Sequence, residues 1–535
     1  MDPHADFFES NKRKRDGRNQ PFKLAVKQGL ERNASTCVAN WNDMLKFFVE
    51  HDDGSSALES ALLNMDPAYI EDSLLLRAVQ VENEKGVKVL LFSGKPFSKS
   101  FLQQSLLEAI RLHSPELVAC LLNKGTKHIN PNFWVDEDSQ LTPLHLSASQ
   151  DEIALLLLQA GANPNARDMD GQSPLHVVGG NHVSARWMIQ YGADPNLRDK
   201  HGNTSLHMAC HAGSLATVKE LHYANPDLTD DNEQTPLHDA CRRGSMPIIR
   251  WLIKVAKADP TPPTSVPPLE YAACHGKLMP KELIELGLDP RQGCPESGTI
   301  AHSILRFENK KLDENKFRLR FMDELLQCDP TLVSSLDRFQ STPLHWCQSP
   351  DMVRLLVEKF NADLMQRNRG GRTPLIESVF VSDNEHTVEA FLQLYTERGL
   401  DIDLPDKNGW SSLHHAVFHG HADYVKLLMD YGADKDRKNG AGRSPLHLVG
   451  YSFSPGRRMD SFRDSDISCA MRKPCWVEAD EADYTDCVEV LLLNGANAVI
   501  LDDEQNLPFF LAASLSRVTE TFRMIQQAAG QGLFD

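Results

Sequence analysis

The 535-residue sequence predicts an all-α solenoid of helix-turn-helix units with short β-turn fingers. The first observation behind this prediction is a tetrapeptide of Thr or Ser, Pro or Ser, Leu and His that recurs along the chain. The first four copies begin 31 residues apart and two more follow, at Thr142, Ser173, Thr204, Thr235, Thr342 and Ser444. Self-similarity at a fixed period is typical of repeat architectures, in which each unit contacts only its neighbours.

The second observation is that each copy opens the same order of helix-forming residues. In the unit from Thr235, the sequence TPLHDACRRGSMPIIRWLI predicts a short helix, a break at Gly244 and a second, apolar helix. The Thr or Ser caps the first helix, and the Pro takes the first helical position, where its missing N–H costs no hydrogen bond. One such hairpin cannot bury its apolar face alone, so we expect stacked copies to share a continuous core.

The third observation concerns the segments that connect the units. Two of them read GANPNARDMDG at 161–171 and GADPNLRDKHG at 192–202. Glycine and asparagine adopt left-handed and turn dihedrals easily, and aspartate accepts hydrogen bonds from the backbone near it. These segments are therefore predicted to form protruding β-turn fingers.

The TPLH, Gly-Ala and Asp-x-x-Gly elements together resemble the ankyrin repeat. The resemblance implies an ankyrin-repeat solenoid that binds partner proteins on a concave face built from finger tips and first helices. It also implies that the histidine of the motif bridges backbone groups of adjacent units. The histidines at this position are His145, His176, His207, His238, His345, His414 and His447. We expect the leucines that precede them to lie in the core.

The same pattern predicts where the repeats begin and end. Degenerate copies occur before Thr142 and between the clear ones, and a charged stretch at 306–330 is predicted to be an additional amphipathic helix. The predicted segments are a disordered N-terminal tail (1–19), a helical N-terminal cap (20–71), degenerate ankyrin repeats (72–141), ankyrin repeats (142–451), a flexible insertion loop (452–484) and C-terminal ankyrin repeats (485–535).

Composition and charge exclude several classes of function. The formal net charge is −18, and an acidic surface repels phosphate backbones, so we expect no nucleic-acid partner. No apolar run approaches the roughly 18 residues of a transmembrane helix. The 11 cysteines lack CxxC pairs, which indicates reduced thiols and no zinc site. We expect a cytoplasmic protein without cofactor or metal. The nucleus, suggested by the basic run 12–15, and the membrane periphery remain alternatives.

Within the ankyrin class, one region is similar to that of the calcium-independent group VI phospholipases A(2). A divergent unit, GTIAHSILRF at 298–307, precedes a shortened unit at Thr342, and NLPFFLAASLS at 506–516 resembles that family's last repeat. The family's catalytic part carries a GxSxG nucleophile elbow and a glycine-rich oxyanion loop. Neither occurs in this sequence, which ends at 535, where such a domain would start. The resemblance therefore implies the protein-binding arm alone, with no catalytic residue.

Two functions follow from the sequence. The first is a protein-interaction scaffold or adaptor that binds proteins on its concave face. The alternative is the regulatory ankyrin part of a phospholipase A(2)-like protein, and self-association or binding to a lipase subunit also stays open as a mode of partnership.

Exposed aromatic and arginine side chains are the usual anchors of protein interfaces, so we expect partner contacts from such residues on finger tips and first helices. The candidates are Lys200, His201, Arg242, Arg243, Arg369, Arg372, Trp410, Phe418 and His419. Trp410 is the first choice, because a tryptophan beside a finger glycine is expected to have little core to bury into. His415 and His419 lie one helical turn apart, but no third ligand is near them, so no metal site is predicted.

Overall fold

The computed structural model describes residues 45–46, 49–50, 62, 70–93, 95–122, 129–275, 277–293, 298–306, 312–381, 384–449, 481–508 and 519–532. The chain divides into two compact units, residues 1–236 and 237–535. The predicted tail at 1–19, almost all of the predicted cap at 20–71 and residues 452–480 of the predicted loop lie outside the described ranges.

The first unit is built of short helices that pair along the chain, with no β-strand among its described residues. Its helical hairpins are Ser73–Gln80 with Glu84–Phe92, Lys99–Arg111 with Pro115–Leu122, Pro143–Leu146 with Asp151–Gln159, Pro174–Val177 with His182–Gln190, and Ser205–Ala212 with Leu215–Glu220. First helices pack on first helices of the next hairpin, and second helices on second helices. This is the predicted helix-turn-helix architecture.

The second unit repeats the arrangement with more irregular members. Its α-helices are Pro236–Arg243, Met246–Lys254, Pro268–Cys274, Pro280–Glu285, Ile300–Arg306, Leu312–Cys328, Pro350–Arg354, Pro374–Val381, Glu385–Glu397, Ser412–Phe418, Ala422–Asp430, Glu481–Leu493 and Thr519–Gly532. Among its described residues there are also three 3₁₀ helices, Pro330–Ser334, Pro343–Trp346 and Pro445–Leu448, and one π-helical turn, Leu355–Lys359.

Two features of the second unit can be compared directly with the sequence. The charged stretch predicted at 306–330 forms the helix Leu312–Cys328. The helix Glu481–Leu493 begins inside the segment predicted as a loop, so residues 481–484 are helical rather than irregular. In the described ranges, no helix combines enough length and hydrophobicity to cross a membrane.

The leucine of the repeat motif lies in the core of its unit, as predicted. Each of these leucines is at most a few per cent exposed, and they are Leu144, Leu175, Leu206, Leu237 and Leu446. Their burial removes apolar surface from water between neighbouring hairpins, which stabilises the stack by about 25 cal/mol per Å².

The ring of the motif histidine makes two hydrogen bonds to backbone groups, as His207 shows. Its Nδ1 lies 3.1 Å from the backbone nitrogen of Thr204 and accepts that N–H. Because Nδ1 must be an acceptor, the ring proton is on Nε2, which donates to the carbonyl oxygen of Gln234 at 3.0 Å. The hydroxyl of Thr204 in turn accepts from the backbone N–H of His207, which closes the helix cap. The predicted bridge between adjacent units is therefore present.

The same bridge recurs in both units, and we call it the histidine bridge. The Nε2 atom lies 2.9 to 3.2 Å from a carbonyl oxygen of the next finger in each case. The pairs are His145 with Gln172, His176 with Asn203, His207 with Gln234, His238 with Val266, His302 with Ser341, His345 with Arg372, His414 with Arg443, and His447 with Asn506.

His302 was not among the predicted bridging histidines. It reaches Ser341, 39 residues ahead, because the helix Leu312–Cys328 is inserted between the two repeats. The signal in the sequence was the Thr299-x-x-His302 spacing, which is that of the motif without its proline and leucine.

Several fingers are closed by their own aspartate or asparagine and joined to the next by the backbone. In the finger 406–410, Asp406 Oδ1 accepts the N–H groups of Asn408 and Trp410 at 2.8 and 2.9 Å. The tip then pairs with the following one, since the N–H of Gly440 donates to Asn408 O at 2.9 Å. A Cβ on Gly409, whose φ is +80°, would lie 2.4 Å from the nitrogen of Gly440, so only glycine fits there.

The first prediction concerns the histidine bridge. His207→Ala leaves two buried backbone groups, the N–H of Thr204 and the carbonyl of Gln234, without their ring partner. We expect it to lower the free energy of unfolding by about 2–4 kcal/mol in urea denaturation. His222→Ala, an exposed histidine of the same repeat, is the matched control and should change stability by less than about 0.5 kcal/mol. Equal effects of the two substitutions would show that the bridge contributes nothing.

The second prediction concerns pH. Burial lowers the pKa of the bridging histidines, reaching about 4 for His302 and His414. The lowered groups are His145, His176, His207, His302, His345, His414 and His447.

An unfolded histidine has a pKa of about 6.5, so at pH 5 the unfolded chain takes up protons that the folded chain excludes. The stability that these neutral histidines contribute is thus fully present above about pH 6.5 and is lost as the pH falls towards 4. We expect the melting temperature, measured by circular dichroism, to decrease steadily between pH 7 and pH 4.5. A melting temperature that stays constant or rises over this interval contradicts the assignment.

Candidate functional site

The predicted contact residues of the first unit lie on a finger tip. Lys200 and His201 are both exposed. Their backbone is held on both sides, because Lys200 N–H donates to Asp170 O at 2.8 Å and His201 O accepts from Asp231 N–H at 2.9 Å. The side chains therefore project from a fixed backbone.

Arg242 and Arg243 end the helix Pro236–Arg243 of the second unit and differ in their environment. Arg243 is exposed. Arg242 is half-buried, with its guanidinium carbon 4.9 Å from the ring centre of Tyr271 and Nη1 3.4 Å from Asp239. Arg243 thus offers a charge to solvent, whereas much of Arg242 is engaged within its own unit.

The finger 368–372 carries Arg369 and Arg372, which point to different sides. Arg369 is exposed at the tip, where its N–H donates to Phe339 O at 2.7 Å. The side chain of Arg372 is only 12% exposed, stacks at 4.4 Å on the ring of Phe380 and lies 3.7 Å from Glu377. The expectation that Arg372 is an exposed anchor is wrong, because the last residue of a finger turns towards the first helix.

Trp410 is buried, which corrects the expectation that it projects into solvent. It is 5% exposed, and its ring centre lies 5.0 Å from His415 and 5.3 Å from Phe418. The backbone N–H of Trp410 donates to Asp406 and closes the finger, and this places the indole on the first helix Ser412–Phe418. The side chain therefore belongs to the packing beneath the face.

Phe418 and His419 are half-buried at the end of that helix. The ring of His419 lies 5.0 Å from Phe380 and 5.1 Å from Phe418. Burial lowers the pKa of His419 to about 3, so the ring is neutral at physiological pH. Both side chains combine a packed edge with some exposed surface, which suits a secondary contact.

His415 is committed to a buried pair. Its Nε2 lies 3.1 Å from Asp406 Oδ2, and both side chains are 1% exposed. Across the described ranges, no group of three or more His, Cys, Asp or Glu side chains has the geometry to hold a metal ion.

Sequence reasoning missed a first-helix position that contacts the aspartate or asparagine of the finger. Nine residues after the finger aspartate or asparagine, the first helix places a side chain against that residue. At this position Trp346 Nε1 donates to Asp337 at 3.0 Å, and His415 binds Asp406. In the third case Asn368 Nδ2 donates to Glu377 at 3.2 Å. Counting nine residues from each finger would have identified the position.

Two exposed tip residues, Arg338 and Lys407, were also missed. They occupy the tip position of Arg369 in the preceding and following fingers. The signal was again positional, because each follows the aspartate that closes its finger.

Comparison with known families identifies the repeat. A model described as "Ankyrin repeats (3 copies)" matches residues 75–168, 161–230, 206–293 and 378–451, which together are more than half of the chain. A model for a single ankyrin repeat matches residues 340–369.

Curated relatives share parts of this chain. A transient receptor potential cation channel subfamily A member 1 homolog of Caenorhabditis elegans is 29% identical over 153 residues, 27% of this chain and 12% of that protein. SH3 and multiple ankyrin repeat domains protein 2 of Homo sapiens is 29% identical over 142 residues, 26% of this chain and 6% of that protein. A B-cell lymphoma 3 protein homolog of Mus musculus is 37% identical over 120 residues, 21% of this chain and 26% of that protein.

The matched region thus spans at most 26% of the length of these three relatives. None of the three is named as a phospholipase, so the closer resemblance noted in the sequence stays a prediction.

The third prediction tests the corrected position of Trp410. Trp410→Ala empties a buried site and should lower the free energy of unfolding by about 3–5 kcal/mol. Lys407→Ala, three residues away at the exposed tip of the same finger, should change it by less than about 0.5 kcal/mol. Urea denaturation of both variants checks this, and an unaltered midpoint for Trp410→Ala would restore the exposed position.

Proposed function

The chain belongs to the ankyrin-repeat family, and from this premise we propose that it is an interaction scaffold that binds partner proteins on its finger tips and first helices. The observation that carries the proposal is the separation of roles within each finger. Backbone N–H and C=O groups of the tips bind the next finger, while Lys200, His201 and Arg369 leave their side chains exposed.

The proposed contacts fall into two groups. Lys200, His201, Arg243 and Arg369 contact the partner directly, because their side chains are exposed. The half-buried side chains of Phe418 and His419 add secondary contacts with the partner.

The other three candidates have supporting roles. Arg242 stacks on the ring of Tyr271 and Arg372 on the ring of Phe380. The buried Trp410 packs beneath the face.

A second candidate function is the regulatory arm of a calcium-independent phospholipase A(2)-like protein. It rests on the sequence resemblance, whose divergent unit and shortened unit are consecutive folded repeats. His302 bridges to Ser341, and the shortened unit forms the 3₁₀ helix Pro343–Trp346. Both functions use the same face, and a lipase subunit would be one of the proteins whose capture depends on the tips. Self-association is a third use of that face.

The fourth prediction concerns capture of partners. We expect a variant with Lys200→Ala, Arg243→Ala and Arg369→Ala to lose at least one co-purifying protein about tenfold, measured by quantitative mass spectrometry. The matched control replaces three exposed second-helix lysines, Lys219, Lys254 and Lys426, by Ala, so that the same charge is removed from another surface. The control should retain the full set. Identical sets for both variants, or a lowered melting temperature for the tip variant alone, would count against the proposed face.

A further inference from the structure

Three consecutive fingers of the second unit carry a basic side chain at the tip. In the fingers 337–341, 368–372 and 406–410, the residues at this position are Arg338, Arg369 and Lys407, and all three are exposed. We call these residues the basic tip row. The row stands out because the formal charge of the whole chain is −18. In the same unit, the later fingers have Gly440 and Asp503 at the corresponding position.

The backbone aligns the three tips into one edge. Arg369 N–H donates to Phe339 O at 2.7 Å, and Lys407 N–H donates to Gly370 O at 3.2 Å. The guanidinium of Arg367 spans the second and third fingers, with bonds of 3.0 Å to Gly371 O and 2.6 Å to Pro405 O. A Cβ on Gly371 would lie 2.8 Å from the nitrogen of Lys407, so the fingers are as close as a glycine permits. The charges therefore sit on a preorganised line.

Three carboxylates beside the basic tip row are turned inward. Asp337 Oδ2 accepts from Arg306 at 2.6 Å, and both side chains are almost fully buried. Asp406 is buried with His415. Glu377 lies between Asn368 and Arg372, and its side chain is 12% exposed. Each of these three acids is thus bound to an internal partner, so none of them neutralises the exposed cations of the basic tip row.

An apolar strip accompanies the row. Phe380 and Phe418 occupy equivalent positions, twelve residues after Asn368 and Asp406, and both are half-buried on first helices. Both rings contact His419, at 5.0 and 5.1 Å between ring centres. The neutral His419 adds no charge to the strip.

We infer that this edge binds an extended acidic segment of a partner protein, with carboxylates at Arg338, Arg369 and Lys407 and an apolar side chain against Phe380 and Phe418. The inference rests on the proposed function, because it specifies the chemistry of one partner site on the same face. A line of cations beside half-buried rings complements a segment that alternates acidic and apolar residues.

Charge also argues for a short segment rather than a membrane or a nucleic acid. A bilayer or a polynucleotide brings anionic charge close to much more of the protein than one edge. The rest of this chain is strongly acidic and repels such charge over a Debye length of about 8 Å. A segment of a few residues meets only the basic tip row. The exposed Asp503 and Glu504 carry the opposite charge at a later finger of the unit.

The fifth prediction uses a defined probe. A fluorescein-labelled 12-residue peptide of Glu, Leu and Ser is titrated with the full chain in 50 mM NaCl, and fluorescence anisotropy reports binding. A peptide with every Glu replaced by Lys and vesicles containing phosphatidylserine are tested in parallel. We expect the acidic peptide to bind and the lysine peptide and vesicles not to bind. The affinity should fall as NaCl is raised to 300 mM, because the contacts are exposed charges.

The variant Arg369→Glu with Lys407→Glu should weaken acidic peptide binding about tenfold or more, since like charges then face each other. The matched control, Arg320→Glu with Lys426→Glu, reverses two exposed charges on other helices and should bind like the unaltered protein. Equal melting temperatures confirm that all proteins are folded.

The inference is overturned if the acidic peptide does not bind, whether or not the vesicles do, or if Arg369→Glu with Lys407→Glu weakens its binding no more than the control variant does. If the tip variants lose co-purifying proteins while the acidic peptide never binds, the proposed function stands and the acidic specificity is wrong. If the peptide binds through the basic tip row but capture from lysate does not depend on the tips, the site stands and the broader scaffold function is wrong.

Discussion

The histidine bridge is the interaction on which the rest of the structure depends. It satisfies a buried N–H at the start of one first helix and a carbonyl of the following finger with a single neutral ring. Buried backbone groups without partners cost on the order of 1–3 kcal/mol each, so the bridge solves the same problem in each repeat where it occurs. The bridge also sets the distance between a first helix and the next finger, because the imidazole ring is rigid and the distance between its two nitrogens is fixed. The spacing of the tips follows from this rigid link.

The fingers divide polar groups between inside and outside. Backbone groups of a tip bind the next finger, and the closing aspartate or asparagine is engaged with its own turn and with the first helix. Asp337 with Arg306 and Asp406 with His415 are examples in which the acid is fully removed from the surface. Tip side chains such as Lys200, His201, Arg338, Arg369 and Lys407 remain exposed. In a repeat protein the same scaffold can thus present different charges at each step, and the basic tip row is one such segment in an otherwise acidic chain.

Sequence reasoning predicted most of the architecture, because local rules govern it. The Thr-Pro-Leu-His motif encodes a cap, a helix start, a core leucine and a bridge within four residues, and Leu206 and His207 lie where it places them. The motif did not identify His302, because its copy there lacks the proline and leucine. An inserted helix also lengthens the separation between His302 and its carbonyl partner to 39 residues.

The candidate site was harder to predict, because exposure depends on packing between units. Trp410 stands beside a finger glycine in the sequence, yet its indole packs on His415 and Phe418. Arg372 turns inward, whereas Arg338 and Lys407 turn outward. The position within the finger, not the residue type, decides which side chain faces solvent.

The most direct test of this account is the tautomer of the bridging histidines. Long-range ¹H–¹⁵N spectra of histidine-labelled protein at pH 7 report which ring nitrogen carries the proton. We expect neutral rings protonated on Nε2, with Nε2 protons that exchange slowly because they are buried and hydrogen-bonded. Rings protonated on Nδ1, or doubly protonated rings at pH 7, would contradict it, because neither can accept the capping N–H.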